Sequence, residues 1–144
     1  MILTKLWVLV ILSVISIVDI KRRIIPDVCV LLLIPVTFFS VTLWQSKILA
    51  SVSVWAVYVV TALIAAIAKT QVPIGMGDIK LLSAIGLISG CKGLLAATVL
   101  SSILGGITAA TLLLLKKVQK KDQIAFGPFI AVSYALYLAS VSAI

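Results

Sequence analysis

Residues 2–23 read ILTKLWVLVILSVISIVDIKRR. Between Ile2 and Ile20 the run carries a single lysine and a single aspartate, and it is as long as the roughly 20 apolar residues a helix needs to cross a bilayer. No small-residue cleavage site follows its apolar core, so it reads as a retained span rather than a secretory signal. Working outward, the pattern recurs: apolar runs at residues 27–45, 48–68, 78–90, 93–115 and 126–144 follow the first at 2–20, with short polar breaks between. Backbone groups in lipid must be bonded within their own segment, so these runs predict helices. With 63% hydrophobic and 11% charged residues and a mean hydropathy of +1.34, the chain is expected to be an all-α, polytopic membrane protein of about six transmembrane helices. Residues 1–144 are expected to form one integral membrane domain. The fourth run is short and lies between Pro73-Ile74-Gly75-Met76-Gly77 and the pair Gly90 and Gly93, turn signals that predict a tilted helix or one starting below the membrane surface.

The formal net charge of +8 does not point to nucleic acid. The twelve basic residues fall in breaks between apolar runs, where topology and anionic lipid account for them. Orientation follows from their distribution. With the N-terminus outside, the cytosolic breaks hold Lys21, Arg22, Arg23, Lys69, Lys80, Lys116, Lys117, Lys120 and Lys121, while Lys5, Lys47 and Lys92 remain outside. Nine against three places both termini outside. Cys29 and Cys91 then lie near opposite faces, too far apart for a disulfide. The chain has no histidine and no CxxC spacing, which excludes a zinc site or a Cys/His nucleophile, and no metal or cofactor is expected.

The chain also has no glutamate, so its carboxylate side chains are Asp19, Asp27, Asp78 and Asp122. The orientation puts Asp19, at the end of the first span, and Asp78, at the start of the fourth, at one membrane depth on the cytosolic side, but Asp27 and Asp122 fall on that side too, so depth alone does not choose a pair. An acidic residue inside a span costs roughly 2.5–3.5 kcal/mol near the centre and less near the edge, which makes a functional role the natural reading. Ser13, Ser16 and Asp19 recur at a spacing of three, a polar stripe expected to face protein. The structural alternative for Asp19 is an ion pair with Lys21-Arg22-Arg23. That for Asp78 is an N-cap of the fourth helix. Against the latter, Asp78, Leu82, Gly86 and Gly90 share a helical face with a GxxxG spacing, expected to bring this helix close to a neighbour and Asp78 toward a partner. Asp27 follows Pro26, a common helix-start arrangement, and Asp122 sits among lysines; both read as structural.

Three stretches then fall into place together: Asp19 followed by basic residues and Ile25-Pro26-Asp27; Gly75-Met76-Gly77-Asp78-Ile79-Lys80-Leu81-Leu82; and Phe126-Gly127-Pro128-Phe129. In this order they resemble the bacterial type IV prepilin peptidases, GxGD-type intramembrane aspartyl proteases. The resemblance implies that Asp19 and Asp78 are catalytic, with Gly75, Gly77 and Lys80 as supporting motif residues. It also implies removal of short basic leader peptides from type IV prepilins or pseudopilins, at the cytoplasmic face of the inner membrane. Long members carry a cytosolic insert with paired CxxC motifs, associated with methylating the new N-terminus. Here the first span passes directly to the second, so a short form without methyltransferase activity is expected. Ala125 stands where many members have proline.

The chemistry suits two carboxyls. Amide hydrolysis needs a base to activate water and an acid for the carbonyl oxygen or leaving nitrogen, and a close pair sharing one proton supplies both. Lys80 is expected to snorkel toward lipid headgroups, or to tune the pair. The expected partners are pilin-like substrates with a basic leader and a hydrophobic helix, and anionic lipids, which hold leader and loops alike. Competing readings are an archaeal-type preflagellin peptidase, a lipoprotein signal peptidase, disfavoured by the charge bias, and a small proton- or cation-coupled transporter, for which no internal repeat is found.

Overall fold

The computed structural model describes residues 2–40, 42–70, 75–115 and 125–142. They form α1 (Ile2–Arg22), α2 (Asp27–Leu31), α3 (Val36–Phe39), α4 (Trp44–Ile67), α5 (Met76–Leu114) and α6 (Gly127–Ser142), with no strand among the described residues. Three helices, α1, α4 and α5, are long and apolar enough to cross a membrane; Asp27–Phe39 and Gly127–Val141 are shorter apolar helical stretches.

The run expected over 27–45 is shorter and less regular than its composition suggests. From Leu33 to Phe38 the backbone bonds run from residue i to i−3, for example Leu33 N–H to the Val30 carbonyl and Thr37 N–H to that of Ile34. Pro35 has no N–H to continue an α-helical ladder, so the chain tightens into a 3₁₀ spiral around it. Ser40 is extended, and the next helix begins at Trp44 rather than 48.

A straight helix of the 39 residues of α5 would measure about 58 Å, nearly twice the hydrocarbon thickness. It is not straight. Gly90 has φ 66° and ψ −163°, a conformation almost confined to glycine. The contacts with α6 show the direction of each limb. Along residues 76–89 the chain passes from the level of Asp19 and Gly127 to that of Tyr134, which is hydrogen-bonded to Ser89. Beyond Gly90 it returns, from Gly93 beside Tyr137 to Gly105 beside Phe126 and Phe129. The two limbs therefore run oppositely along α6 and correspond to the separate runs read at 78–90 and 93–115. The N–H of Cys91, at the start of the returning limb, donates to Ser46 Oγ at 3.1 Å, so α4 caps the break. Both cysteines are free.

The GxxxG face does bring α5 close to a neighbour, but the neighbour is α4. A Cβ on Gly86 would lie 3.1 Å from that of Ala50, one on Gly90 would lie 2.5 Å from Ser46 Oγ, and Ser51 and Ser83 share a hydrogen bond of 2.6 Å nearby. α1 contributes Val8, Ile11, Leu12 and Ile15 to the core, packed with Leu81, Ile85, Ile130 and Tyr134. That face ends on Asp19, yet Ser13 is exposed and Ser16 half-buried. The expected polar stripe faces protein only toward its Asp19 end, and each hydroxyl is satisfied by a carbonyl of its own helix, Leu9 and Leu12 respectively. Lys47, read as a residue of an outer break, is instead 1% exposed. Its ammonium donates to the carbonyls of Thr37 (2.6 Å) and Ser40 (3.1 Å) and stands 4.5 Å from the centre of the Trp44 ring.

Candidate active site

Asp19 sits in the last turn of α1 and is 5% exposed. Its carboxylate is held from across the bundle: the backbone N–H of Gly127, at the first turn of α6, donates to Oδ2 at 2.8 Å. The positive end of a helix and an unpartnered first-turn N–H suit an anionic oxygen. Glycine is required for this approach, since a Cβ at 127 would stand 2.7 Å from Oδ2. Arg23 closes α1 in the left-handed region (φ 53°), with its N–H on the Asp19 carbonyl at 2.8 Å, and the chain leaves toward Ile25.

Asp78 is the third residue of α5. The N-cap is Gly75 and no side chain caps the helix, so the Asp78 carboxyl is not spent in that role. It folds back over Gly75, where a Cβ would lie 3.2 Å from Oδ2. Gly77 faces the other way, and a Cβ there would meet Ile25 at 3.0 Å. The two glycines of Gly75-Met76-Gly77-Asp78 thus do separate work: Gly75 leaves space for the carboxyl, and Gly77 lets α5 seat against the segment that follows Asp19.

The result is a crevice of about 460 Å³ lined by both aspartates, with Gly75, Gly77, Asp27 and Lys80 on its walls. Asp19 and Asp78 both face this space. Lys80 pairs with Asp27 at 2.7 Å, bridging the first turn of α2 to α5. The expectation that Lys80 reaches toward headgroups is replaced by this bridge. Asp122 lies outside the described residues. One buried, hydrogen-bonded carboxyl and one half-buried carboxyl facing the same space can supply the base and the acid of amide hydrolysis.

Gly127 is the residue of the candidate site that residue-by-residue reading did not single out. Its signal was the Phe-Gly-Pro-Phe stretch, quoted for its resemblance but given no task.

Comparison with known proteins bears on the family. The model of the type IV leader peptidase family matches residues 6–110, which include both aspartates. Among curated proteins, a prepilin leader peptidase/N-methyltransferase of Bacillus subtilis is 30% identical over 128 residues, 83% of this chain and 48% of that protein. One from Stutzerimonas stutzeri is 27% identical over 128 residues, 82% of this chain and 43% of that protein. One from Xanthomonas campestris is 37% identical over 59 residues, 41% of this chain and 21% of that protein. The chain thus spans less than half the length of these relatives. No solved structure matches it significantly. With a family match covering most of the sequence and both acidic motifs inside it, the chain belongs to the type IV leader peptidase family.

Proposed function

We propose that the chain is an aspartic endopeptidase that removes short basic leaders from type IV prepilin or pseudopilin-like substrates. The observation that carries the reading is the meeting of Asp19 and Asp78 in one crevice at one end of the bundle. The curated relatives bear the name prepilin leader peptidase, which supports the substrate class. In this reading the enzyme sits in the inner membrane with six spans, the fourth and fifth being the two limbs of α5, and with both termini outside. The crevice then opens to the cytoplasm, as the excess of basic residues on that side supports. Anionic lipid holds the basic loops and the leader at the surface.

The roles of the two carboxyls follow from their partners. An N–H at a helix N-terminus is a better donor to a carboxylate anion than to a neutral acid. Asp19 is therefore assigned as the base that takes a proton from the attacking water. Asp78, half-buried and without a capping duty, carries the shared proton and donates to the substrate carbonyl. As the tetrahedral intermediate collapses, Asp19 passes the proton taken from water to the leaving nitrogen and Asp78 recovers the one it gave to the carbonyl oxygen, which restores one proton between two carboxyls. The relatives' names also include N-methyltransferase. Only residues 23–26 separate α1 from α2 here, and the proposal is confined to peptide cleavage.

The test is co-expression with a pilin-like substrate bearing a basic leader, comparing wild type with Asp19→Asn and Asp78→Asn. Each substitution should abolish processing while the protein still accumulates folded in the membrane. Continued processing by either folded variant would overturn the assignment.

A further inference from the structure

The charged side chains lining the crevice are Asp19, Arg23, Asp27, Asp78 and Lys80. Two of the three carboxylates are taken up by the chemistry proposed above. Asp27 is not, and its surroundings differ from theirs. It lies in the first turn of α2 with its side chain 65% exposed, and its described partner is Lys80, itself 36% exposed, on the facing turn of α5. The sequence offers little alternative for a cationic ligand: there is no glutamate, and the fourth aspartate, Asp122, stands in a lysine-rich stretch.

A basic leader entering this crevice brings ammonium or guanidinium groups toward a chain with a net charge of +8. Anionic lipid holds it at the surface, and within the crevice its cation is met by an anion that the reaction does not consume. We propose that Asp27 is the specificity-determining residue for the leader, and that a leader cation displaces Lys80 from it. The inference rests on the peptidase reading of the site. The exchange is physically inexpensive. An ion pair this exposed is weakly held, and replacing one ammonium on Asp27 by another leaves the number of ion pairs unchanged. Lys80, once released, has a long flexible stem with which to reach solvent or lipid phosphate. A leader with no cation leaves the bridge closed across the wall of the crevice. The Asp27–Lys80 pair therefore acts as a competitor built into the enzyme, and only a basic segment displaces it.

This arrangement makes the two halves of one ion pair act in opposite directions, which a structural bridge does not. The experiment uses the full chain in vesicles of fixed anionic lipid content at low salt, with pilin-type substrates whose leaders are basic, neutral (Lys or Arg replaced by Gln) or acidic (replaced by Glu). For the basic leader, Asp27→Asn should raise KM about two- to fivefold with little change in kcat, the range expected for a partly exposed pair. Lys80→Met should lower KM by a similar factor. With the neutral leader both effects should vanish, and Asp27→Lys should favour the acidic leader over the basic one. If Asp27→Asn and Lys80→Met shift KM in the same direction, or act equally on basic and neutral leaders, the pair is only a bridge and the inference is overturned. A wild-type protein that cleaves none of the substrates would instead sink the peptidase reading, and this inference with it.

Discussion

Replacing Gly127 by alanine tests the link between α6 and the proposed base directly. The added Cβ would stand 2.7 Å from Oδ2, 3.1 Å from Cγ and 3.2 Å from Cβ of Asp19. Carbon atoms pack best at about 3.5–4.0 Å, so the carboxyl or the start of α6 must retreat by roughly half an ångström. That retreat stretches the 2.8 Å bond from the Gly127 N–H to about 3.3 Å, just past the ordinary range, and weakens it. A hydrogen bond to a charged group contributes about 1.5–3 kcal/mol. If the bond holds the base in its reactive orientation, forfeiting up to that much lowers kcat/KM by as much as about 10- to 150-fold, at 1.36 kcal/mol per factor of ten. Helix propensity acts the other way, since alanine in an unencumbered first turn is at least as good as glycine. The assay is cleavage of a pilin-type substrate by purified enzyme in vesicles, with Gly106→Ala as control because nothing lies within 4 Å of a Cβ there. Wild-type kcat/KM in a Gly127→Ala protein of unchanged melting temperature would refute the reasoning.

Gly90→Ala places a side chain at φ 66° and 2.5 Å from Ser46 Oγ, so it should destabilise the fold by at least about 1–3 kcal/mol, read as a lowered melting temperature in detergent. Lys69→Gly should act oppositely. Lys69 occupies the left-handed position (φ 53°) after α4, with its own N–H on the Ala66 carbonyl and that of Thr70 on Ala65. Glycine relieves about 1–2 kcal/mol of backbone strain there and loses about 0.5–1 in chain entropy, for a net gain of roughly 0.5–1 kcal/mol. Finally, cleavage of a basic-leader substrate should fall sharply in vesicles without anionic lipid and recover as it is restored; indifference to lipid charge would remove lipid from the list of partners.

The candidate carboxyls were legible because charge is costly in lipid and rare in this chain. Asp19 and Asp78 stood out as acidic residues at the ends of apolar runs, and the asymmetry of lysine and arginine set them on one side. Spacing within a helix could not say which neighbour it faces. Gly86 and Gly90 announced a close approach, but the partner was α4, and the contacts that seat Asp78 near Asp19 are Gly77 on Ile25 and Gly127 on Asp19. The last of these joins residues 108 apart in the chain, and no local pattern encodes such a distance. The burial of Lys47 was missed for a related reason. A lysine beside an apolar run looks like a surface charge until a second element, here the end of α3, supplies carbonyls for it. Ser13 erred in the opposite sense, since a hydroxyl in a helix needs no neighbour at all.

The break at Gly90 also has a place in the order of synthesis. Ser46, which receives the N–H that the break sets free, precedes Cys91 by 45 residues. At roughly 5–20 residues per second that is a lead of about 2–9 s. A bare N–H has no partner in hydrocarbon, so a returning limb that inserted alone would carry its penalty into the bilayer. Because α4 is made first, the acceptor is synthesised before the N–H that it takes up, and the order of the chain lets the returning limb fold against a helix already made.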